Sequence, residues 1–355
     1  MDKKVLVHLE NVSKRYDKID IIKNVSLDIY EGEFVTLLGA SGCGKTTILR
    51  MISGLESVTS GKVFIDGVDV TNIDATRREV NTIFQNLALF PKMTTYDNIA
   101  FGLRMKKMDE KLIDKKVKSA INLVKLNGFQ DRYPSELSGG QQQRVAIARG
   151  IIMNPKVLLL DESLCSLDLK LKKTMQVELK KIQKKLGITF IYVTHSQDEA
   201  LSMSDRIVVI NEGVIEQVDT PYQIYRNPSS LFVADFIGDA NILEAKVLEI
   251  RENCAKVKIL DNIDLDIKTD LDVKKGEIIK LVIRPEDVII HKKTCNNSIS
   301  GVISNLTYSG DNTKLTIDLT DNLIIKASTT DENMYSEKDI VYLTFDTDYI
   351  VLLRK

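Results

Sequence analysis

The 355-residue chain contains no tryptophan, six prolines, three histidines and four cysteines. Three histidines are too few for a histidine-based metal cluster. Cys43, Cys165, Cys254 and Cys295 are scattered without metal-like spacing, so they read as free thiols of a reducing compartment rather than a disulfide framework. No apolar run approaches the roughly 18 residues of a membrane span. The opening MDKKVLVHLE lacks the long apolar segment of a secretion signal. An excess of one charge is missing too: 49 basic against 50 acidic residues leave a net charge of −1, which gives no electrostatic footprint for nucleic acid. Beyond residue 240 the aromatics are Tyr308, Tyr335, Tyr342, Phe345 and Tyr349, a sparse set for stacking bases.

What remains is a globular composition, 43% hydrophobic and 28% charged, with enough chain for two domains. Residues 1 to about 235 alternate short apolar runs with helical periodicity. FVTLLG (34–39), VLLLD (157–161), TFIYVTH (189–195) and RIVVINEG (206–213) read as buried strands. Leu171, Met175, Leu179, Ile182 and Leu186 form one apolar stripe on an otherwise lysine-rich helix. This alternation predicts an α/β core with a largely parallel sheet. Near residue 240 the period changes to two, as in ILEAKVLEI and KLTIDLT, with a turn cluster at SGDNT. That predicts a small all-β, barrel-like domain. The expected domains are therefore 1–238 and 239–355, joined through TPYQIYRNPSSLFVADFIG.

GASGCGKTT (Gly39–Thr47) fits the phosphate-binding loop G-x-x-x-x-G-K-[ST], between a predicted strand and a predicted helix. Small residues (Gly39, Ser41, Gly42, Cys43, Gly44) let backbone N–H groups wrap a phosphate, and the helix start adds partial positive charge. Lys45 suits the β/γ-phosphates, and Thr46 offers a hydroxyl to Mg²⁺. Beside Lys45, Cys43 is expected to be a thiol that maleimide attacks and nucleotide shields. LLLDESLCSLD (158–168), taken alone, fits a metal ligand plus a base, a Ser163 or Cys165 nucleophile, or a strand running into a loop. Paired with the phosphate loop, it places Asp161 on Mg²⁺ and Glu162 on the attacking water. LSGGQQQR (137–144) precedes another helical run, so Ser138, Gly139 and Gly140 form a second anion cradle.

These motifs, in this order, resemble the ATP-binding subunits of ATP-binding cassette (ABC) transporters, and LSGGQ resembles that family's signature. The resemblance implies an α/β P-loop NTPase cassette followed by an oligonucleotide-fold-like β domain. It implies that Tyr16 stacks on adenine, that Gln85 senses Mg²⁺ and water, that His195 contacts the γ-phosphate, and that Asp168 couples two sites. ATP with Mg²⁺ would lie between Lys45, Thr46, Thr47 and Asp161 of one chain and Ser138–Gln141 of a second copy, head to tail. The catalytic set would be Lys45, Gln85, Glu162 and His195. The implied partners are two membrane-spanning permease subunits and an external solute-binding protein, with no nucleic acid. The implied place is the cytoplasmic face of the membrane. Residues Tyr96–Leu103 are expected to form the groove for a permease helix.

LVIRPEDVII (281–290) fits the β domain of importers, and RREVNTIFQNLALFPKMTTYDNIAFGLR and ADFIGDANILEA are similar to polyamine-importing members. Importers of sugars, iron, sulfate or phosphonate are the same-class alternative. A non-transport ATPase acting on ribosomes or DNA is disfavoured, because the chain has one cassette and no coiled-coil insertion. A P-loop kinase is opposed by LSGGQ and Glu162. The chain departs from the family at Ser163, where proline is usual, at Cys165 and Ser166, and at Ser196, where aspartate is common.

Overall fold

Two long strands begin the chain, β1 (Val5–Tyr16) and β2 (Ile19–Tyr30), joined by a two-residue turn in which Asp17 takes a positive φ of 50°. The computed structural model describes residues 3–164, 168–251, 254–259, 263–269, 272–320, 323–331 and 335–354. It has two units, residues 1–221 and 222–355.

In the first unit β3 (Phe34–Leu38) leads through the phosphate loop into α1 (Lys45–Ser53). β4 (Ser60–Ile65) and β5 (Val68–Asp69) then join the opening hairpin in a four-stranded antiparallel sheet, ordered β2-β1-β4-β5. The predicted strand–helix alternation did not foresee this sheet. Its cause is local: a tight turn returns β1 onto β2 before any helix can intervene.

The rest of the unit alternates as predicted: β6 (Val80–Ile83), α2 (Thr95–Met105), α3 (Glu110–Leu123), α4 (Gly139–Ile151), β7 (Val157–Asp161), α5 (Leu169–Leu186), β8 (Thr189–Thr194), α6 (Gln197–Met203), β9 (Arg206–Asn211) and β10 (Val214–Asp219). The six-stranded sheet runs β10-β9-β3-β8-β7-β6, parallel except for β10. β3, β7 and β8 are buried along their whole lengths, as expected for parallel strands covered on both faces.

Side chains alternate between two cores. Phe34, Leu158, Leu160, Phe190 and Tyr192 pack with α2–α5, while Val35, Leu37, Leu159, Ile191 and Val193 pack with α1, β1 and β2. Phe34, Phe190 and Tyr192 are among the largest fully buried side chains, each worth about 1.5–3 kcal/mol of burial. The predicted stripe on α5 is buried at Met175, Leu179 and Ile182, whereas Leu186, at the helix end, is 37% exposed.

The second unit starts with two short helices, α7 (Pro221–Arg226) and α8 (Leu231–Phe236). Among the described residues ten strands follow: β11 (Asn241–Arg251), β12 (Cys254–Ile259), β13 (Ile263–Lys268), β14 (Ile278–Ile283), β15 (Val288–His291), β16 (Ile299–Tyr308), β17 (Thr313–Thr320), β18 (Leu323–Thr329), β19 (Ile340–Phe345) and β20 (Val351–Leu353). They form two antiparallel five-stranded sheets, β13-β12-β11-β14-β20 and β15-β19-β16-β17-β18, around one apolar core. The RPED sequence explains how α7 and α8 attach. Arg284 is 2% exposed and donates to the carbonyls of Tyr225, Ala234 and Asp239, with its guanidinium 4.3 Å above the Tyr225 ring. Arg226 donates to Asp287 at 2.6 Å, and Tyr225 donates to Glu286 at 2.9 Å. These bonds gather residues 222–238, which the sequence suggested as a connection, with the β strands.

Two charged groups, Arg284 and Asp66, carry tests of stability. Arg284→Met removes the buried donor shared by the Tyr225, Ala234 and Asp239 carbonyls and is expected to cost about 2–4 kcal/mol. A melting curve of the full chain with an unchanged second-unit transition would contradict this. In the first unit, hydrogen bonds from Lys156 (2.8 Å) and then Lys4 hold the Asp66 carboxyl down at about 2. A depressed folded value means that the stabilisation is complete above the ordinary value of 3.8 and is lost as pH falls through about 2. Asp66→Asn should therefore flatten the stability profile between roughly pH 4 and 2, measurable by denaturant titration at several pH values.

Candidate active site

The parallel register sets the site. Ile83 pairs with Leu160, Asp161 with Val193, and Leu38 with Thr194, so β6, β7, β8 and β3 end level with one another. Gln85 follows β6, Asp161 closes β7, Glu162 follows it, His195 follows β8, and the phosphate loop follows β3. Ligands of open α/β sheets bind at such carboxyl ends.

The loop is shaped by close approach. A Cβ on Gly39 would stand 2.2 Å from the Ile210 carbonyl oxygen, and one on Gly44, at φ 103°, 2.3 Å from Ile22 Cδ1. Lys45 is 5% exposed and donates to the carbonyls of Gly39 (2.8 Å) and Ala40 (2.7 Å). Ser41 and Gly42 are exposed at the loop tip, and Thr46 and Thr47 sit half-buried on the first turn of α1. Cys43 is 6% exposed, with Sγ 3.6 Å from Lys45 Nζ. The thiol expected to react with maleimide is thus tucked inside the loop.

Thr46 Oγ1 donates to Asp161 Oδ1 at 3.0 Å, joining α1 to the end of β7. Burial pushes the Asp161 carboxyl up, opposed by the Thr46 hydrogen bond and by Arg50 and Lys45 nearby. Such a carboxylate favours a positive partner. Glu162 adopts a positive φ of 42°, a conformation costing a non-glycine residue about 1–2 kcal/mol. Its N–H donates to the Val193 carbonyl at 3.1 Å. Its side chain meets two other expected site residues: Gln85 Nε2 donates to Oε2 at 3.3 Å, and His195 Nδ1 stands 3.6 Å from Oε1.

Six predicted residues lie apart from this cluster: Tyr16, Ser138, Gly139, Gly140, Gln141 and Asp168. Tyr16, 43% exposed, donates to Glu56 Oε2 at 2.7 Å with the Lys14 ammonium 4.8 Å over its ring. The same hairpin carries Ile21 and Ile22, which pack on Gly44. Ser138 caps α4 in a reciprocal box, its Oγ accepting from Gln141 N and the Gln141 side chain accepting from Ser138 N. Gly139 begins that helix, and Gly140 is buried where a Cβ would stand 2.8 Å from Leu171 of α5. Asp168 caps α5, accepting from Leu171 N at 3.0 Å. Among the described residues no hydrogen bond or ion pair joins Ser138–Gln141 to Lys45, Thr46 or Asp161.

The departures are partly accounted for. Ser196 fills the aspartate position as the cap of α6, its Oγ accepting from Glu199 N. Ser163 is fully buried, and its hydroxyl finds no partner among the described residues. Cys165 and Ser166 lie outside the described residues. Sequence reasoning left Glu56, Arg50 and Glu199 unassigned. Glu199 carried a usable signal: it lies in the first turn of α6, just after the His195 turn.

A family model described as ABC transporter matches residues 22–164, and a TOBE domain model matches residues 281–353. The spermidine/putrescine import ATP-binding protein PotA of Aliivibrio fischeri is 50% identical over 312 residues, 87% of this chain and 84% of that protein. The chain belongs to the PotA family of ABC transporter ATP-binding proteins. The PotA protein of Mannheimia succiniciproducens is 49% identical over 323 residues, 90% of this chain and 86% of its own. Among solved structures, the cassette MJ0796, a dimer in a post-hydrolysis state bound to ADP and Pi, matches with a TM-score of 0.55 at 34% identity, covering 61% of this chain and 99% of that one. The cbiO1 subunit of the cbiONQ transporter of Clostridium perfringens matches with a TM-score of 0.58 at 30% identity, covering 62% and 91%. As a PotA-family protein the chain is an ATP-binding cassette with a TOBE domain.

Ser163 supplies a test of the turn after Glu162. Ser163→Ala removes a buried hydroxyl and is expected to keep or raise the melting temperature, by up to about 1 kcal/mol of stability. Ser163→Pro restricts the backbone and is expected to speed ATP turnover. Slower turnover in the proline variant would show that the looser turn does not limit hydrolysis.

Proposed function

We propose that this chain is the ATP-hydrolysing subunit of an importer for polyamines, spermidine or putrescine, acting as a head-to-tail dimer against two permease subunits at the cytoplasmic face of the membrane. An external binding protein delivers the solute to the permease. The observation that carries the reading is the level ending of β3, β6, β7 and β8, which gathers Lys45, Thr46, Asp161, Glu162, Gln85 and His195 at one edge.

In this reading Tyr16 stacks on adenine, and the loop Gly39–Thr47 wraps the phosphates with its backbone N–H groups. Lys45 exchanges its loop carbonyls for phosphate oxygens. The oxygens of Thr46 and Asp161, 3.0 Å apart, are hard donors suited to Mg²⁺, and the Gln85 side-chain carbonyl is a third donor of the same kind. When bound, Mg²⁺ supplies charge neutralisation on the phosphates. Glu162 accepts the proton of a water whose oxygen attacks the γ-phosphorus, and ADP leaves as the β–γ bridge breaks. Gln85 and His195, both held against Glu162, fix the position of water and γ-phosphate. Positioning and charge stabilisation supply most of the rate.

The Ser138–Gln141 cradle serves the partner's nucleotide, which accounts for its separation from Lys45 within one chain. Asp168 couples the two sites, and Tyr96–Leu103, on α2, receives the permease helix. The polyamine assignment rests on relatives half-identical over most of their length.

Glu162→Gln keeps the side-chain shape but removes the base. It is expected to retain ATP binding, trap the dimer and slow hydrolysis by roughly a hundredfold or more, read in the reconstituted complex by phosphate release. Wild-type turnover would sink the assignment of Glu162. For the solute, vesicles containing the whole transporter with its binding protein should show ATPase stimulation by spermidine or putrescine. Stimulation by a sugar, iron, sulfate or phosphonate instead would redirect the substrate and leave the ATPase reading intact.

A further inference from the structure

Glu199 is 0% exposed, yet it bears a carboxylate. Its Oε2 accepts from the Tyr192 hydroxyl at 2.5 Å and from the Thr194 hydroxyl. Its Oε1 stands 2.6 Å from Lys172 Nζ, in an ion pair whose lysine side chain is 22% exposed. A buried charge is costly unless paired and hydrogen-bonded, and an apolar pair could fill such a place at lower cost.

The partners show what this arrangement connects. The Thr194 hydroxyl acts twice, donating to Glu199 and accepting from Ser196 N at 3.0 Å, so it brackets His195 from both sides. Glu199 N in turn donates to Ser196 Oγ, closing the cap of α6 over the same turn. Lys172 belongs to the first turns of α5, and its backbone N–H donates to the Asp168 carbonyl at 2.8 Å. One carboxylate therefore ties the turn that carries His195 to the helix that Asp168 caps. His195 in turn stands 3.6 Å from Glu162.

We infer that Glu199 is a positioning residue for the hydrolytic step, holding the His195 turn and the start of α5 as one body. His195 then keeps its place beside Glu162, and a movement at Asp168 is transmitted to His195 through Lys172 and the carboxylate. This inference rests on the role given to His195 under Proposed function. It adds an element that neither the motif nor the catalytic set contains: a buried ion pair linking γ-phosphate sensing to the segment between the two sites.

The test separates positioning from mere core filling. In the assembled transporter, Glu199→Gln strands the Lys172 charge and should lower both melting temperature and kcat. Glu199→Gln combined with Lys172→Met removes both charges and should recover the melting temperature. Its kcat should stay about tenfold or more below wild type, with KM for ATP within about twofold. Thr194→Val, which breaks the hydroxyl relay without touching the charges, should lower kcat in the same way and keeps the test decisive if E199Q fails to fold. Recovery of kcat along with melting temperature in the double variant, or normal kcat in Thr194→Val, would overturn the inference. His195→Ala is the reference: wild-type turnover there would overturn the reading of His195 itself, whereas loss of turnover there with a normal double variant would overturn only the role of Glu199.

Discussion

The parallel ladder from β6 through β7 and β8 to β3 is the constraint on which everything else depends. Because Ile83, Leu160, Asp161, Val193, Thr194 and Leu38 lie in adjoining rungs, four chain segments leave the sheet at one height. A slip of one residue in any strand would turn its side chains to the opposite face. Leu158 and Leu160 would exchange cores with Val157 and Leu159, and Asp161 would leave Thr46. The two apolar cores thus specify the register, and the register delivers the polar site.

Charges inside the fold appear where something must be held at an angle that packing alone leaves loose. Asp161 is pushed up by burial and met by Thr46. Glu199 is surrounded by two hydroxyls and an ammonium. In the second unit, Arg284 gathers three carbonyls that no apolar side chain could satisfy. Hydrogen bonds have direction and dispersion contacts do not, so these groups fix turns and helix ends while the apolar residues supply the stability.

The phosphate loop, the acids after β7 and the Ser138 turn were legible because their chemistry restricts both residue type and spacing. Wrapping a phosphate needs small residues beside a lysine, and the Gly39 and Gly44 contacts show how little room there is. The strands β3, β7, β8 and β9 were legible because buried parallel strands are continuous apolar runs. The opening antiparallel sheet was not, since the period-two signal of β1 and β2 was masked by the strand–helix rhythm that follows. Nor was the attachment of residues 222–238 legible, because a helix of six residues carries no record of the arginine, far along the chain, that receives its carbonyls. Cys43 shows the same limit: its neighbours in sequence suggested reactivity, and its burial became visible only in the fold.

The amino-acid sequence by itself determined the class of protein: an ATP-binding P-loop cassette with its candidate site residues, followed by a β domain. Those conclusions need only residue types and short spacings, which covalent connectivity preserves. The tertiary structure alone decided which of these groups meet. It set Gln85 and His195 against Glu162, kept the Ser138 turn away from Lys45, and placed Glu199 between His195 and α5. Such meetings depend on strand register and helix packing between segments tens of residues apart, and those are settled by filling the two cores.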